Sequence, residues 1–119
     1  MTGIQRYGEA TRWADVVIHG DTAYWVEVAE APSSDTRSQV AQVLAQIDAT
    51  LATLDSDRTR LLQVLIYLAD LADAPILNEL WDGWVVAGHA PVRACVQAGL
   101  SPGYKVEMVI TAATTTAGS

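Results

Sequence analysis

Apolar and polar positions divide the chain into short alternating segments and two longer periodic ones. Residues 15–29, "DVVIHGDTAYWVEVA", read as two short strands joined by a tight turn at Gly20 and Asp21. Pro32, Ser33 and Ser34 then interrupt the pattern. Val40, Val43, Leu44, Ile47, Leu51 and Leu54 follow, one apolar stripe at the 3.6-residue period of an amphipathic helix. After the polar connection "SDRTR" comes "LLQVLIYLAD", short and rich in Leu, Val, Ile and Tyr, which predicts a buried central strand, although periodicity alone leaves a helix open. Asp73 is placed to cap a second helix ahead of Pro75. Ile76, Leu77, Leu80, Trp81 and Trp84 form that helix's stripe, and Gly88 ends it. Two further strands, about 90–98 and 104–112, would be linked through the "LSPG" turn.

The predicted order is β-β-α-β-α-β-β, an α+β fold with two helices covering one face of a mixed sheet. With no internal repeat and no linker, residues 1–112 form one domain, and the small polar residues of 113–119 are expected to be a disordered tail. On strand alternation, Val106, Met108 and Ile110 face the helices. The uncovered face then carries Arg93, Cys95 and Gln97 together with Lys105, Glu107, Val109 and Thr111. Such a half-polar face is suited to self-association, with pockets lined by two subunits.

Composition narrows the function. A net charge of −7 and scattered basic residues argue against a nucleic-acid partner, whose phosphates require clustered Lys and Arg. A single cysteine excludes an intrachain disulfide and fits a reducing compartment. The N-terminus lacks the apolar run of a signal peptide, and no segment is apolar for long enough to span a bilayer. The expectation is a cytoplasmic protein without a membrane partner. His19 and His89 lack companions at ligand spacing, so neither a metal nor another cofactor is expected. His19 is expected at the surface beside a turn, His89 in a helix-to-strand turn, and Trp81 and Trp84 in the core. Tyr24 and Trp25 should face opposite sides of their strand, and Tyr104 is a lesser candidate for ligand contact.

Arg93 carries the candidate chemistry. A guanidinium stays protonated, and burying it unpaired is costly. Its planar fork matches a carboxylate with two parallel charge-assisted bonds. That carboxylate is either supplied by a ligand or belongs to Glu107. If "LSPG" closes a hairpin, Glu107 would lie roughly opposite Arg93, as a cross-strand pair contributing about 0.2–1 kcal/mol.

The run "WDGWVVAGHAPVRACVQAGLSPGYKVEMVITAA", extended upstream by "DSDRTRLLQVLIYLADLADAPILNELWDGW" and "VAQVLAQIDATLATL", resembles the YjgF/RidA family and most closely its YoaB-like branch. The similarity covers roughly residues 12–113. It implies a chorismate-mutase-like (ferredoxin-like) fold assembled as a homotrimer around a central barrel, with clefts between subunits. It further implies that Arg93 binds the carboxylate of a 2-imino or 2-enamino acid and that Glu107 orients the hydrolytic water. The backbone near Cys95 would touch the substrate, and the products would be a 2-keto acid and ammonia. Two departures stand out. Val26, Glu27 and Val28 occupy the place of a Ser-Gly-Gln-like run in the deaminase branch, so Glu27 adds a charge at the cleft and is a candidate partner for Arg93. Trp13 stands where that branch has a tyrosine. Cys95 itself reads as a small buried residue rather than a nucleophile. The reading is a deaminase with Glu107 as catalytic residue and Arg93, Cys95, Trp13 and Glu27 around the substrate. The alternative is a non-catalytic trimeric binder of small carboxylate metabolites.

Overall fold

A computed structural model describes residues 3–114. Strands β2 (Val16–His19) and β3 (Thr22–Val28) meet at the two-residue turn Gly20–Asp21, as the sequence pattern requires. Gly20 has a φ of 65°, the left-handed conformation that a two-residue hairpin turn favours. Helix α1 (Thr36–Thr53) starts where the Asp35 carboxylate accepts a 2.8 Å bond from the Ser38 N–H. Its stripe Val40, Val43, Leu44, Ile47 and Leu51 is buried. Strand β4 (Leu61–Leu68) is internal to the sheet, and its Leu61, Val64, Ile66 and Leu68 are buried. Helix α2 (Ala74–Asp82) follows, then β5 (Val92–Gln97) and β6 (Val106–Ala113).

The sequence pattern missed a strand. Residues Ile4–Tyr7 form β1, which pairs antiparallel with β2 at the sheet's edge. All four residues are exposed, so no alternation of buried and exposed positions marks it. Helix α2 is also shorter than its apolar stripe suggested: it ends at Asp82 with Gly83 as cap, and Trp84 lies just beyond. Asp73 sits at the N-cap without a capping bond, because its carboxylate accepts the Thr36 hydroxyl at 2.7 Å and ties the two helix starts together. Of the expected tail, Ala113 belongs to β6 and the Thr114 N–H bonds Asp21 O at 2.8 Å; residues 115–119 lie outside the described residues.

One sheet of six strands results, in the order β1-β2-β3-β6-β4-β5, mixed because β4 and β5 run parallel. This order removes the expected β5–β6 hairpin. A strand–helix–strand unit places β5 parallel beside β4. The connection from Ala98 to Lys105 then carries the chain past β4, so that β6 inserts between β3 and β4. Val106, Met108, Ile110 and Ala112 on β6 are buried under the helices, as their alternation predicted. The fold is α+β, with both helices on one face.

Candidate functional site

Strand register fixes which side chains share a face. On β5, Arg93 lies opposite Val64 and Cys95 opposite Ile66, and both partners are buried under the helices. Arg93, Cys95 and Gln97 therefore point to the helix side of an edge strand, not to the uncovered face. Gln97 Oε1 accepts the Leu71 N–H at 2.9 Å, which agrees with that orientation. The uncovered face takes Val92, Ala94 and Val96 from β5 instead. Glu107 pairs with Val28 on one side and Tyr67 on the other, and it does lie on the uncovered face.

The expected Arg93–Glu107 ion pair is thus corrected. The two residues are on opposite faces with β4 between their strands. At ~4.8 Å per strand spacing, β5 and β6 are about 10 Å apart before the offset along the strands is added. Among the described residues, Arg93 makes no ion pair and no hydrogen bond with a protein group. Its guanidinium rests over the Trp81 ring, 5.3 Å from the centroid, within cation–π range.

Among the described residues, no strand pairs with the outer edge of β5. Cys95 is half-buried there, and burial raises its thiol pKa above the ordinary value, with the nearby Arg93 opposing. It is a neutral thiol at neutral pH, consistent with a packing role.

Glu27 is placed away from Arg93. It faces α1, where its carboxylate accepts Gln46 Nε2 at 2.8 Å and the Thr50 hydroxyl at 3.1 Å. Three strand spacings, about 14 Å, separate its strand from β5. The expectation that Glu27 neutralises Arg93 fails within one chain. The added acid instead braces β3 to α1.

Trp13 lies at the other end of the sheet, in the β1–β2 connection, and is 71% exposed. With Gly8, Glu9, Thr11, Arg12 and Asp15 it lines a surface pocket of about 430 Å³. Gly8, at a φ of 88°, lets the Asp15 carboxylate seat against the backbone; a Cβ there would come within 2.6 Å of it. The candidate residues thus fall into two groups. Arg93 and Cys95 occupy one edge of the sheet. Glu107, the end of β3 and the Trp13 loop belong to the other side of β4. No group of three or more His, Cys, Asp or Glu among the described residues could hold a metal ion.

The six-stranded mixed sheet with both helices on one face is shared with solved structures of one protein family. The family model described as Endoribonuclease L-PSP matches residues 2–114, and the chain belongs to that family, the YjgF/RidA family. Within it the chain falls in the YoaB-like branch: it is 50% identical over 111 residues to the RutC family protein YoaB of Escherichia coli strain K12, covering 92% of this chain and 97% of that protein. A RutC family protein of Haemophilus ducreyi is 41% identical over 112 residues, covering 92% and 96%. Among solved structures, NMB1025 of Neisseria meningitidis, a member of the YjgF protein family, superposes with a TM-score of 0.87 at 39% identity over 98% of each chain. A Pseudomonas aeruginosa protein gives 0.89 at 41% identity, over 95% of this chain and all of its own.

Proposed function

We propose that this chain is a hydrolytic deaminase of reactive 2-imino and 2-enamino acids, acting in the cytoplasm as a homotrimer with its sites between subunits. Arg93 carries the reading. It is a permanent cation at a sheet edge, it has no acidic partner among the described residues, and its donors are open to a ligand carboxylate. Glu107, half-buried on the uncovered face, serves as the water-handling group. A single chain keeps the two apart, so the Arg93 edge of one copy meets the Glu107 side of the next. The uncovered face favours such an assembly: Tyr24, Val26, Val92 and Val96 on it are 45–67% exposed, an apolar surface that three sheets packed as a central barrel would cover.

The chemistry needs little beyond these two residues. The substrate carboxylate is held by the Arg93 fork, which fixes C2 relative to the water. An enamine first gains a proton at C3 to become the iminium ion, the protonated form of the imine. Water then attacks the electrophilic C2 while Glu107 takes its proton, giving a tetrahedral carbinolamine. Proton return to nitrogen expels ammonia as the carbinolamine hydroxyl gives up its own proton, leaving the 2-keto acid. Every step is a proton transfer, an addition to an activated double bond or the elimination of ammonia from the adduct.

A second reading is a non-catalytic trimeric binder of small carboxylate metabolites. It is favoured by Trp13, which brings an exposed indole without a hydroxyl to the loop where the deaminase branch has tyrosine. A ribonuclease role is disfavoured by the net charge of −7.

The test generates enamine in situ from threonine with a dehydratase and follows 2-keto acid formation. Deamination predicts a faster release on adding this protein, and Glu107→Gln should remove the acceleration while leaving 2-ketobutyrate binding largely intact. Binding without acceleration would replace the first reading with the second. Absence of both would remove the carboxylate site altogether.

A further inference from the structure

We infer that Trp81 is a positioning residue for Arg93, and that it is the inner rung of a cation–π ladder that holds the carboxylate-binding guanidinium in place. The inference rests on the proposed role of Arg93 and adds how that side chain is pre-set.

The ladder has four members and an anchor. Arg93 lies over Trp81 at 5.3 Å. Trp81 packs against Trp84 with centroids 5.4 Å apart and planes tilted by 49°. Arg58 lies over Trp84 at 5.2 Å. Arg58 closes onto Asp48 through Nε and Nη2, both at 2.8 Å, and its Nη1 donates to Trp84 O at 2.9 Å. Trp84 Nε1 also donates to Asp48, at 3.2 Å to each oxygen. Both indoles are buried, Trp81 at 5% and Trp84 at 7% exposure.

The two ends are not equivalent. At the Arg58 end the cation is neutralised, and the Asp48 carboxylate fixes both the guanidinium and the neighbouring indole. At the Arg93 end, no carboxylate among the described residues completes the pair. A cation over a ring face is held without a hydrogen bond, so the N–H donors of Arg93 are not consumed by that contact. A protein carboxylate would have consumed those donors. An arginine free in solvent would have to be ordered on binding, at an entropic cost. Trp81 therefore does what neither alternative does: it restrains Arg93 and leaves its anion-binding edge open. Because Trp81 is buried and packs against Trp84, the restraint is anchored through Trp84 and Arg58 to Asp48 on α1.

The experiment titrates 2-ketobutyrate into the parent protein, Trp81→Phe, Trp81→Met and Arg93→Ala by calorimetry. Phe keeps a ring face beneath Arg93, whereas Met fills the space without one. The ladder predicts binding within about threefold of the parent for Trp81→Phe and weaker by about tenfold for Trp81→Met. Equal weakening in both, or Trp81→Met within twofold of the parent, overturns it. Should Trp81→Met fail to fold, the proton spectrum of the parent decides. The Arg93 Nε–H resonance, identified by its loss in Arg93→Ala, must lie upfield of the ordinary arginine position because of the indole ring current. An ordinary position rejects the ladder. If Arg93→Ala binds as tightly as the parent, the carboxylate role itself has failed and takes this inference with it. If only Arg93→Ala loses binding, the role stands and the ladder falls.

Discussion

Arg93 and Glu27 are both charged side chains on strands, and the fold treats them in opposite ways. Glu27 is absorbed into the helix–sheet contact by Gln46 and Thr50. Among the described residues, Arg93 receives an aromatic surface and no charged partner. Neither outcome was legible from residue type. Strand alternation alone puts Arg93 on the opposite side, because it sends the apolar residues of β5 to the core face. That rule holds where the other face meets water. Here Val92 and Val96 are 67% and 46% exposed on the face that the helices leave uncovered. Cys95, next to Arg93, offers a test at this scale. Burial holds its pKa above the ordinary thiol value, so the thiolate is scarce at neutral pH and grows only as pH rises through that elevated value. Iodoacetamide should alkylate native protein more slowly than unfolded protein at pH 8, with the rate still climbing above pH 9. A native rate that plateaus below pH 8 would mean an activated thiol and reopen a nucleophilic role.

At the scale of elements, the helix α1 stripe, the Gly20–Asp21 turn and the buried β4 were readable, because each is set by local periodicity or turn chemistry. Strand order was not readable. It depends on which long-range partner β6 finds, and the connection between β5 and β6 serves either a hairpin or a crossing past β4. The residue that secures the crossing is Gln39, fully buried on α1. Its Nε2 donates to Pro32 O, to Ser34 O at 3.0 Å and to Gly103 O at 2.8 Å, and its Oε1 accepts the Lys105 N–H at 2.8 Å. One amide thereby joins the entry to α1 with the approach to β6, two residues before Glu107. Gln39→Leu keeps the volume but strands these backbone groups, at a cost on the order of 3 kcal/mol. The urea midpoint should fall with little change in slope. A loss below about 0.5 kcal/mol would show that the amide does not hold the crossing.

At the scale of the molecule, the sequence resemblance named the residues, while the sheet order shows why one chain does not assemble them. Arg93 and Glu107 lie on different faces, and Trp13 lies at the far edge. The central claim is that each site joins the Arg93 edge of one subunit to the Glu107 side of its neighbour. Its most direct measurement is subunit complementation. Arg93→Ala and Glu107→Gln chains, each inactive alone, are co-expressed with different tags, purified as mixed oligomers and assayed for enamine hydrolysis. If sites are shared between subunits, every mixed trimer holds one site in three with both native residues, and turnover returns to about a third of the parent. If both residues act from the same chain, no site in the mixture is intact, and mixed oligomers as inactive as the two single variants would contradict the account.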